Sequence, residues 1–73
     1  MDMKNINTFI YTAELGSFTK AAELLGYSQS TVSFQIRQLE EELGTVLFER
    51  INRTVTLTDR GKEILRYAHR MKQ

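Results

Sequence analysis

At 73 residues and 8.5 kDa, the chain is about half the usual length of one domain, which limits it to a single small core. It contains no cysteine and a lone His69, so disulfides and thiolate zinc sites are excluded and neither a metal nor a cofactor is expected. No apolar run is long enough to cross a bilayer, and the N-terminus lacks the layout of a signal peptide, which predicts a cytoplasmic protein without membrane contact.

The net charge is +1, and the basic and acidic side chains are unevenly distributed along the chain. Residues 1–49 carry three basic and seven acidic side chains, whereas residues 50–73 carry seven basic and two acidic ones. This asymmetry favours a polyanion or an acidic partner on one side of the fold, although a charge-rich solvated helix would give a similar count.

Apolar residues at helical spacing predict the first two helices. The first helix spans about residues 3–15 and ends at Gly16, and the second begins after an N-cap at Ser17 and ends at Gly26. The apolar stripes are Ile6, Phe9, Ile10 and Ala13 in the first helix, and Phe18, Ala21, Ala22 and Leu25 in the second.

A third helix is predicted from an N-cap at Ser28 to a stop at Gly44. Its apolar stripe is Val32, Ile36, Leu39 and Leu43. Because a tight turn containing Gly26 joins the second and third helices, the pair is predicted to be a helix-turn-helix.

The periodicity changes after Gly44. An apolar run at residues 46–48 and alternating β-branched residues at 54–58 predict two strands, which Asn52 can join by reversing the chain. The resulting hairpin has a basic tip with Arg50 and Arg53, side chains that suit the strongly negative potential of a narrow minor groove or a solvated turn.

Thr58 is the predicted N-cap of a fourth helix, with an apolar stripe formed by Ile64, Leu65, Ala68 and Met71. This helix reaches the end of the sequence without a stop signal, so we expect the chain to be part of a longer protein. The stripe can cover the domain's own core or pair with a second copy of the chain.

The outward face of the third helix is the main candidate site. At 100° per residue from Val32, the side chains that point away from the core are Ser30, Ser33, Phe34 and Arg37. An exposed Phe34 is costly unless it contacts a partner. In the major groove, the hydroxyls and Gln29 can bond base edges, Arg37 can contact guanine or phosphate, and Phe34 can contact thymine methyls.

Acidic residues are absent from the N-terminal half of this helix, and Glu40, Glu41 and Glu42 cluster near its C-terminal end. That segregation favours DNA binding. In the competing hypothesis, the domain is a protein-interaction module that uses Phe34 as the anchor in a partner's groove. Thr19 and Lys20, in the first turn of the second helix, are additional candidates for phosphate contact.

An enzyme is not expected. The only histidine lies near the C-terminus, the adjacent glutamates project in different directions, and no glycine-rich phosphate loop is present.

Residues 16–25, with the sequence GSFTKAAELL, begin a series of ordered motifs that continues with SQSTVS at 28–33, QIRQLE at 35–40, LFER at 47–50 and LTDRG at 57–61. This series closely resembles the N-terminal winged helix-turn-helix of LysR-type transcriptional regulators over essentially the whole chain. The resemblance implies a mainly helical fold with a three-helix core, a two-stranded wing and a long C-terminal helix.

The resemblance further implies a bacterial regulator that binds an imperfect palindrome in double-stranded DNA as a homodimer. Residues 1–58 would form the DNA-binding domain, with residues 29–43 in the major groove and the wing, residues 47–57, at the minor groove. Residues 59–73 would begin a linker helix that dimerises and leads to an effector-sensing domain outside this chain. The implied DNA contacts are Gln29, Ser30, Thr31, Ser33, Phe34, Arg37, Arg50 and Arg53, and the dimer contacts are Ile64, Tyr67, Ala68 and Met71.

The sequence departs from the family pattern in two respects, one on the third helix and one in the wing. Phe34 replaces a frequent basic residue, so a contact with thymine is expected instead of one with phosphate or guanine. Asn52 and Thr54 replace frequent wing glycines, which affects how deeply the wing enters the groove.

Overall fold

A computed structural model of the chain describes residues 1–51 and 54–72. Within these ranges the chain forms four helices and one antiparallel hairpin, which confirms the predicted mainly helical winged helix-turn-helix. The predicted turn at Asn52 and the side chain of Arg53 lie outside the described residues. The elements are α1 (Met3–Leu15), α2 (Phe18–Leu25), α3 (Gln29–Leu43), β1 (Phe48–Ile51), β2 (Thr54–Leu57) and α4 (Asp59–Lys72).

Side-chain oxygens cap the two helices of the helix-turn-helix as predicted. Ser17 Oγ accepts a hydrogen bond from the N–H of Lys20 at 3.1 Å, and Ser28 Oγ accepts one from the N–H of Thr31 at 3.2 Å. These bonds satisfy donors that have no partner within the first turn of a helix, so each helix begins at a position that the sequence defines.

The turn between α2 and α3 depends on Gly26, whose φ of +76° lies in the left-handed region. The N–H groups of Gly26 and Tyr27 both donate to the carbonyl of Ala22, which ends α2 and turns the chain directly into α3. A side chain at Gly26 would be strained in this conformation, so the glycine permits the tight connection.

The core lies where α1, α2, α3 and the base of the hairpin meet. Phe48 connects these elements, because its ring is in edge contact with both Phe9 and Phe18 at centroid distances of 5.5 and 5.6 Å. The buried cluster comprises Ile6, Phe9, Ile10, Phe18, Ala22, Val32, Ile36, Leu39, Leu47, Phe48 and Ala68.

The hairpin begins later than its sequence pattern predicts. Val46 is 60% exposed and precedes β1, which starts at Phe48 opposite Leu57. The backbone at residues 46–47 bonds to a side chain of α3 and to the N-cap of α4: the N–H of Leu47 donates to Glu40 Oε2 at 2.8 Å, and Thr58 Oγ1 donates to the carbonyl of Val46 at 2.7 Å. The prediction that Val46 belongs to a strand was therefore wrong.

Helix α4 packs against the same core. Thr58 caps it as predicted, since Thr58 Oγ1 accepts a hydrogen bond from the N–H of Gly61 at 2.9 Å. Ala68 is only 1% exposed, and Ile64 and Leu65 are partly buried beside it. Of the two roles left open for the α4 stripe, these three residues therefore cover the domain's own core.

Candidate nucleic-acid interface

The N-terminal half of α3 presents a mixed polar and aromatic surface. Gln29, Ser30 and Arg37 are exposed, and Phe34 is 58% exposed in the middle of this face. Ser33, predicted to point outward, is half-buried because it lines a groove between α3 and β1. The outward direction of Phe34 follows from helical periodicity and is confirmed.

Three hydroxyl groups meet at the start of α3. Ser28 Oγ lies 3.1 Å from Ser30 Oγ and 2.9 Å from Thr31 Oγ1. Thr31 is half-buried and shares the capping interaction, whereas Ser30 is exposed. Ser30 can therefore turn its hydroxyl to an external acceptor more readily than Thr31, although the sequence assigned both residues the same role.

Arg50 does not lie at the tip of the hairpin, which corrects the sequence prediction. It is a β1 residue opposite Val55, and its guanidinium carbon lies 4.3 Å from the centroid of the Phe18 ring. A cation held over an aromatic face is attracted by the ring quadrupole. Phe18 was predicted only as a core residue, and no local signal in the sequence pairs it with Arg50.

Arg50 and Phe18 border a cleft of about 220 Å³ between α2, α3 and the hairpin. Ser17, Thr19 and Gln29 complete its polar lining. The cleft is smaller than the usual binding site for a drug-sized molecule, and its hydroxyl, amide and guanidinium donors suit a small anionic group such as a phosphate.

The charges on this side of the domain are free to act on an external anion. Among residues 1–51 and 54–72, the one ion pair joins the N-terminal ammonium to Glu42 at 3.5 Å, so neither Arg37 nor Arg50 is neutralised by a carboxylate. Glu40, one of the three adjacent glutamates, is turned toward the N–H of Leu47. Its role as an internal acceptor was missed, because the partner is a backbone group beyond the end of α3.

Thr19 and Lys20 are both exposed at the start of α2, and Thr19 lines the same cleft. The backbone N–H of Lys20 is already bonded to Ser17, so phosphate contact there would depend on the Thr19 hydroxyl and the Lys20 ammonium. Arg53, the remaining predicted wing contact, lies outside the described residues.

The predicted dimer contacts divide into two groups. Tyr67 is 59% exposed and Met71 is 49% exposed on α4, and the Tyr67 ring lies 5.7 Å from the guanidinium carbon of Arg70. Ala68 is buried in the domain's core and Ile64 is half-buried at its edge. The assignment of Ala68 to a surface for a second copy is therefore corrected, because its methyl group already packs within this chain.

The described residues contain no helix long and apolar enough to span a membrane. Over the same part of the chain, no cluster of three or more histidine, aspartate or glutamate side chains is placed to hold a metal ion.

These features define a winged helix-turn-helix in which α3 is the exposed recognition helix. We call α3 the reading helix. Residues 3–62 match the model of the bacterial regulatory helix-turn-helix proteins of the LysR family. The chain belongs to this family, and it is a LysR-type DNA-binding domain.

Relatives across bacteria support the assignment. The chain is 46% identical over 71 residues to the uncharacterized HTH-type transcriptional regulator YwqM of Bacillus subtilis, covering 97% of this chain and 24% of YwqM. It is 47% identical over 68 residues to the HTH-type transcriptional regulator IlvY of Escherichia coli, covering 93% of this chain and 23% of IlvY. The chain thus spans about a quarter of the length of these relatives, whose naming as transcriptional regulators supports a function other than catalysis.

Solved structures show the same fold. The chain is 38% identical to CbnR_DBD in a crystal structure of its DNA complex, with a TM-score of 0.93 over 97% of this chain and 82% of that one. It is 41% identical to BenM_DBD in a crystal structure with catB site 1 DNA, with a TM-score of 0.92 over 97% of this chain and 79% of that one.

Proposed function

We propose that this domain reads a specific sequence in double-stranded DNA, with the N-terminal half of α3 in the major groove and the wing at the minor groove. The observation that carries the proposal is the surface of α3 around Phe34, which is exposed, free of carboxylates and flanked by Ser30 and Arg37. The similar CbnR and BenM domains, which were crystallised with DNA, provide independent support.

The side chains on this surface of α3, of which Ser33 is half-buried, have distinct roles in this proposal. Gln29, Ser30 and Ser33 hydrogen-bond to base edges, while Arg37 contacts guanine or a backbone phosphate. Phe34 packs against thymine methyl groups, a contact that removes its ring from water and distinguishes thymine from other bases.

The second set of contacts surrounds the cleft between α2 and the wing. Arg50, ordered on Phe18, binds a phosphate together with the exposed side chains of Thr19 and Lys20. Arg53 enters the adjacent minor groove, where the negative potential is strongest. Thr31 contributes mainly through the contact of its hydroxyl with Ser28, the N-cap of α3, so its removal would affect the reading helix indirectly.

We further propose that the protein acts as a homodimer on an imperfect palindrome, with two reading helices about 34 Å apart in successive major grooves. Tyr67 and Met71 supply the exposed apolar surface for a second copy, and Ile64 contributes the edge of its half-buried side chain. In this arrangement residues 1–58 read DNA and residues 59–73 begin a helix leading to a domain that senses a small-molecule effector in the cytoplasm.

The proposal is tested by selecting binding sites from random duplexes of about 30 base pairs at near-physiological salt and sequencing the retained DNA. Enrichment of a two-fold motif with half-sites about one helical turn apart would support dimeric major-groove reading. Retention of DNA without a motif would contradict sequence-specific reading by this domain. Retention of no DNA would instead favour a protein-interaction module that uses Phe34 as its anchor.

A further inference from the structure

Helix α1 buries three polar side chains, although buried positions usually hold apolar ones. Asn5, Thr8 and Thr12 are 2%, 1% and 0% exposed. Because burial of a polar group is costly unless it is hydrogen-bonded, the partners of these three side chains indicate what they contribute.

Two of the three bond to α3. Asn5 Nδ2 donates to Gln38 Oε1 at 2.9 Å, and Thr8 Oγ1 donates to Gln35 Oε1 at 2.6 Å. In both helices the bonded residues are three positions apart, so the two bonds form successive rungs between α1 and α3. We call these two bonds the α1–α3 ladder.

The third buried side chain makes no such connection. Thr12 Oγ1 donates to the carbonyl of Thr8, within α1 itself, at 2.7 Å. Thr8 and Thr12 are therefore alike in residue type, helix and burial, and they differ in whether the hydroxyl reaches the reading helix.

The α1–α3 ladder restricts rotation and sliding of α3 against α1, motions that apolar packing leaves comparatively free. Contacts of Val32, Ile36 and Leu39 with the core are non-directional, whereas hydrogen bonds weaken steeply when their angles change. A single bond would act as a pivot, but two bonds three residues apart fix both the rotation of α3 about its axis and its position along α1.

Rotation of α3 matters because Gln35 directly follows Phe34 in the chain. With side chains included, a helix has a radius of roughly 5–6 Å, so a rotation of about 10° moves a surface group by roughly 1 Å. Base-edge hydrogen bonds and a close contact with a thymine methyl group do not tolerate that displacement. Long, flexible side chains on phosphates adapt to it much more easily.

We propose that the α1–α3 ladder is a positioning device for sequence discrimination: it sets the rotation of the reading helix while leaving general affinity for DNA unchanged. Thr8 and Gln35 are positioning residues in this sense, since they act through Phe34 and the other exposed side chains of α3. The inference rests on the proposed function of sequence-specific DNA reading.

The test compares Thr8→Val with Thr12→Val, using the selected duplex and a scrambled duplex of the same length and composition. We expect Thr8→Val to lower the ratio of the two affinities by about fivefold while the affinity for the scrambled duplex changes less than about twofold. Thr12→Val should leave the ratio unchanged. Equal ratios for the two variants, or an equal loss on both duplexes for Thr8→Val, would overturn the inference.

Two further variants separate positioning from a general loss of structure. Thr8→Ser keeps the hydroxyl and should restore the affinity ratio of the original chain even if its melting temperature falls. Gln35→Met removes the acceptor, and the double variant with Thr8→Val should lose no more discrimination than either single variant. Additive losses, or a failure of Thr8→Ser to restore the ratio, would contradict the ladder as the cause.

The unsubstituted chain distinguishes this inference from the proposed function. If it binds the selected and scrambled duplexes equally, sequence-specific reading fails and the inference falls with it. If it prefers the selected duplex and Thr8→Val retains that preference, the inference alone fails.

Discussion

The guanidinium group of Arg50 lies over the face of the Phe18 ring, 4.3 Å from its centroid. Phe18 is itself held in the core by edge contact with Phe48, so a rigid aromatic surface orders a cation at the margin of the candidate interface. Ordering the side chain in advance lowers the entropic cost of binding an anion there. This relationship links the packing of the core to the chemistry of the surface.

Replacing Arg50 tests whether this cation binds phosphate. We expect Arg50→Gln to weaken binding to selected and scrambled duplexes about equally and to reduce the slope of log affinity against log salt by about one. The measurement is a salt titration of affinity. Arg66→Gln, which removes the same charge from an exposed position on α4, is the control; equal effects of both variants would exclude a specific role for Arg50.

The salt dependence of the unsubstituted domain tests how many phosphates it contacts. Because few basic residues surround α3 and the wing, we expect a slope that corresponds to a few phosphates per protomer. A slope equivalent to about ten or more phosphates per protomer would contradict this description.

Arg53→Ala should weaken binding to most sequences, since a minor-groove arginine contributes mainly through electrostatic potential.

Phe34→Ala tests direct reading by the aromatic side chain. We expect the affinity for the selected duplex to fall by about tenfold, with much less change for scrambled DNA, because the lost contact is made with particular bases. Binding is measured on both duplexes and on versions with single thymines replaced by uracil, which lacks the methyl group. Leu24→Ala, at a position 60% exposed on α2, is the matched control; a uniform loss in Phe34→Ala would contradict base reading.

Gly61→Ala tests the close approach of α4 to the base of the wing. A Cβ atom at Gly61 would overlap the carbonyl oxygen of Leu47 and lie 3.0 Å from Leu57 Cδ2. We therefore expect the free energy of unfolding to fall by about 2 kcal/mol, although the same change in an open helix interior is stabilising by about 1 kcal/mol. Chemical denaturation measures the effect, and Lys62→Ala, at the exposed neighbouring position, should change stability by less than about 0.5 kcal/mol.

The exposed surface of α4 is tested by the paired change Tyr67→Ala and Met71→Ala. If these side chains join two copies, self-association measured by sedimentation should weaken by about tenfold or more, since large buried side chains dominate such interfaces. The stability of the isolated fold should change little, because both side chains are exposed in this chain. Unchanged self-association would exclude this surface as the dimer contact.

Local sequence signals predicted the helices of this fold and where the helix-turn-helix begins and ends. The ends of the helix-turn-helix were predicted from Ser17, Gly26 and Ser28, because capping and left-handed turns depend on residues within a few positions of each other. The outward direction of Phe34 and the absence of carboxylates around it follow from helical periodicity alone. The motifs that mark the LysR family lie in these segments, in the wing and at the start of α4.

Contacts between distant segments were not predictable in the same way. Three findings depend on how separate elements meet in space. Ala68 of α4 is buried in the core, Val46 is exposed, and Arg50 lies over the ring of Phe18. Periodicity identifies a stripe on a helix but does not say whether its partner is this chain's core or a second copy.

The sequence by itself therefore determined the helices, the hairpin, the reading face and the family, because short-range sterics, capping and periodicity act within single elements. Only the tertiary structure decided which cation is ordered beside that face and which polar side chains of α1 hold α3. Those pairings depend on the direction and distance of groups brought together by packing of the whole core, and Thr8 with Gln35, 27 positions apart in the chain, is the clearest example.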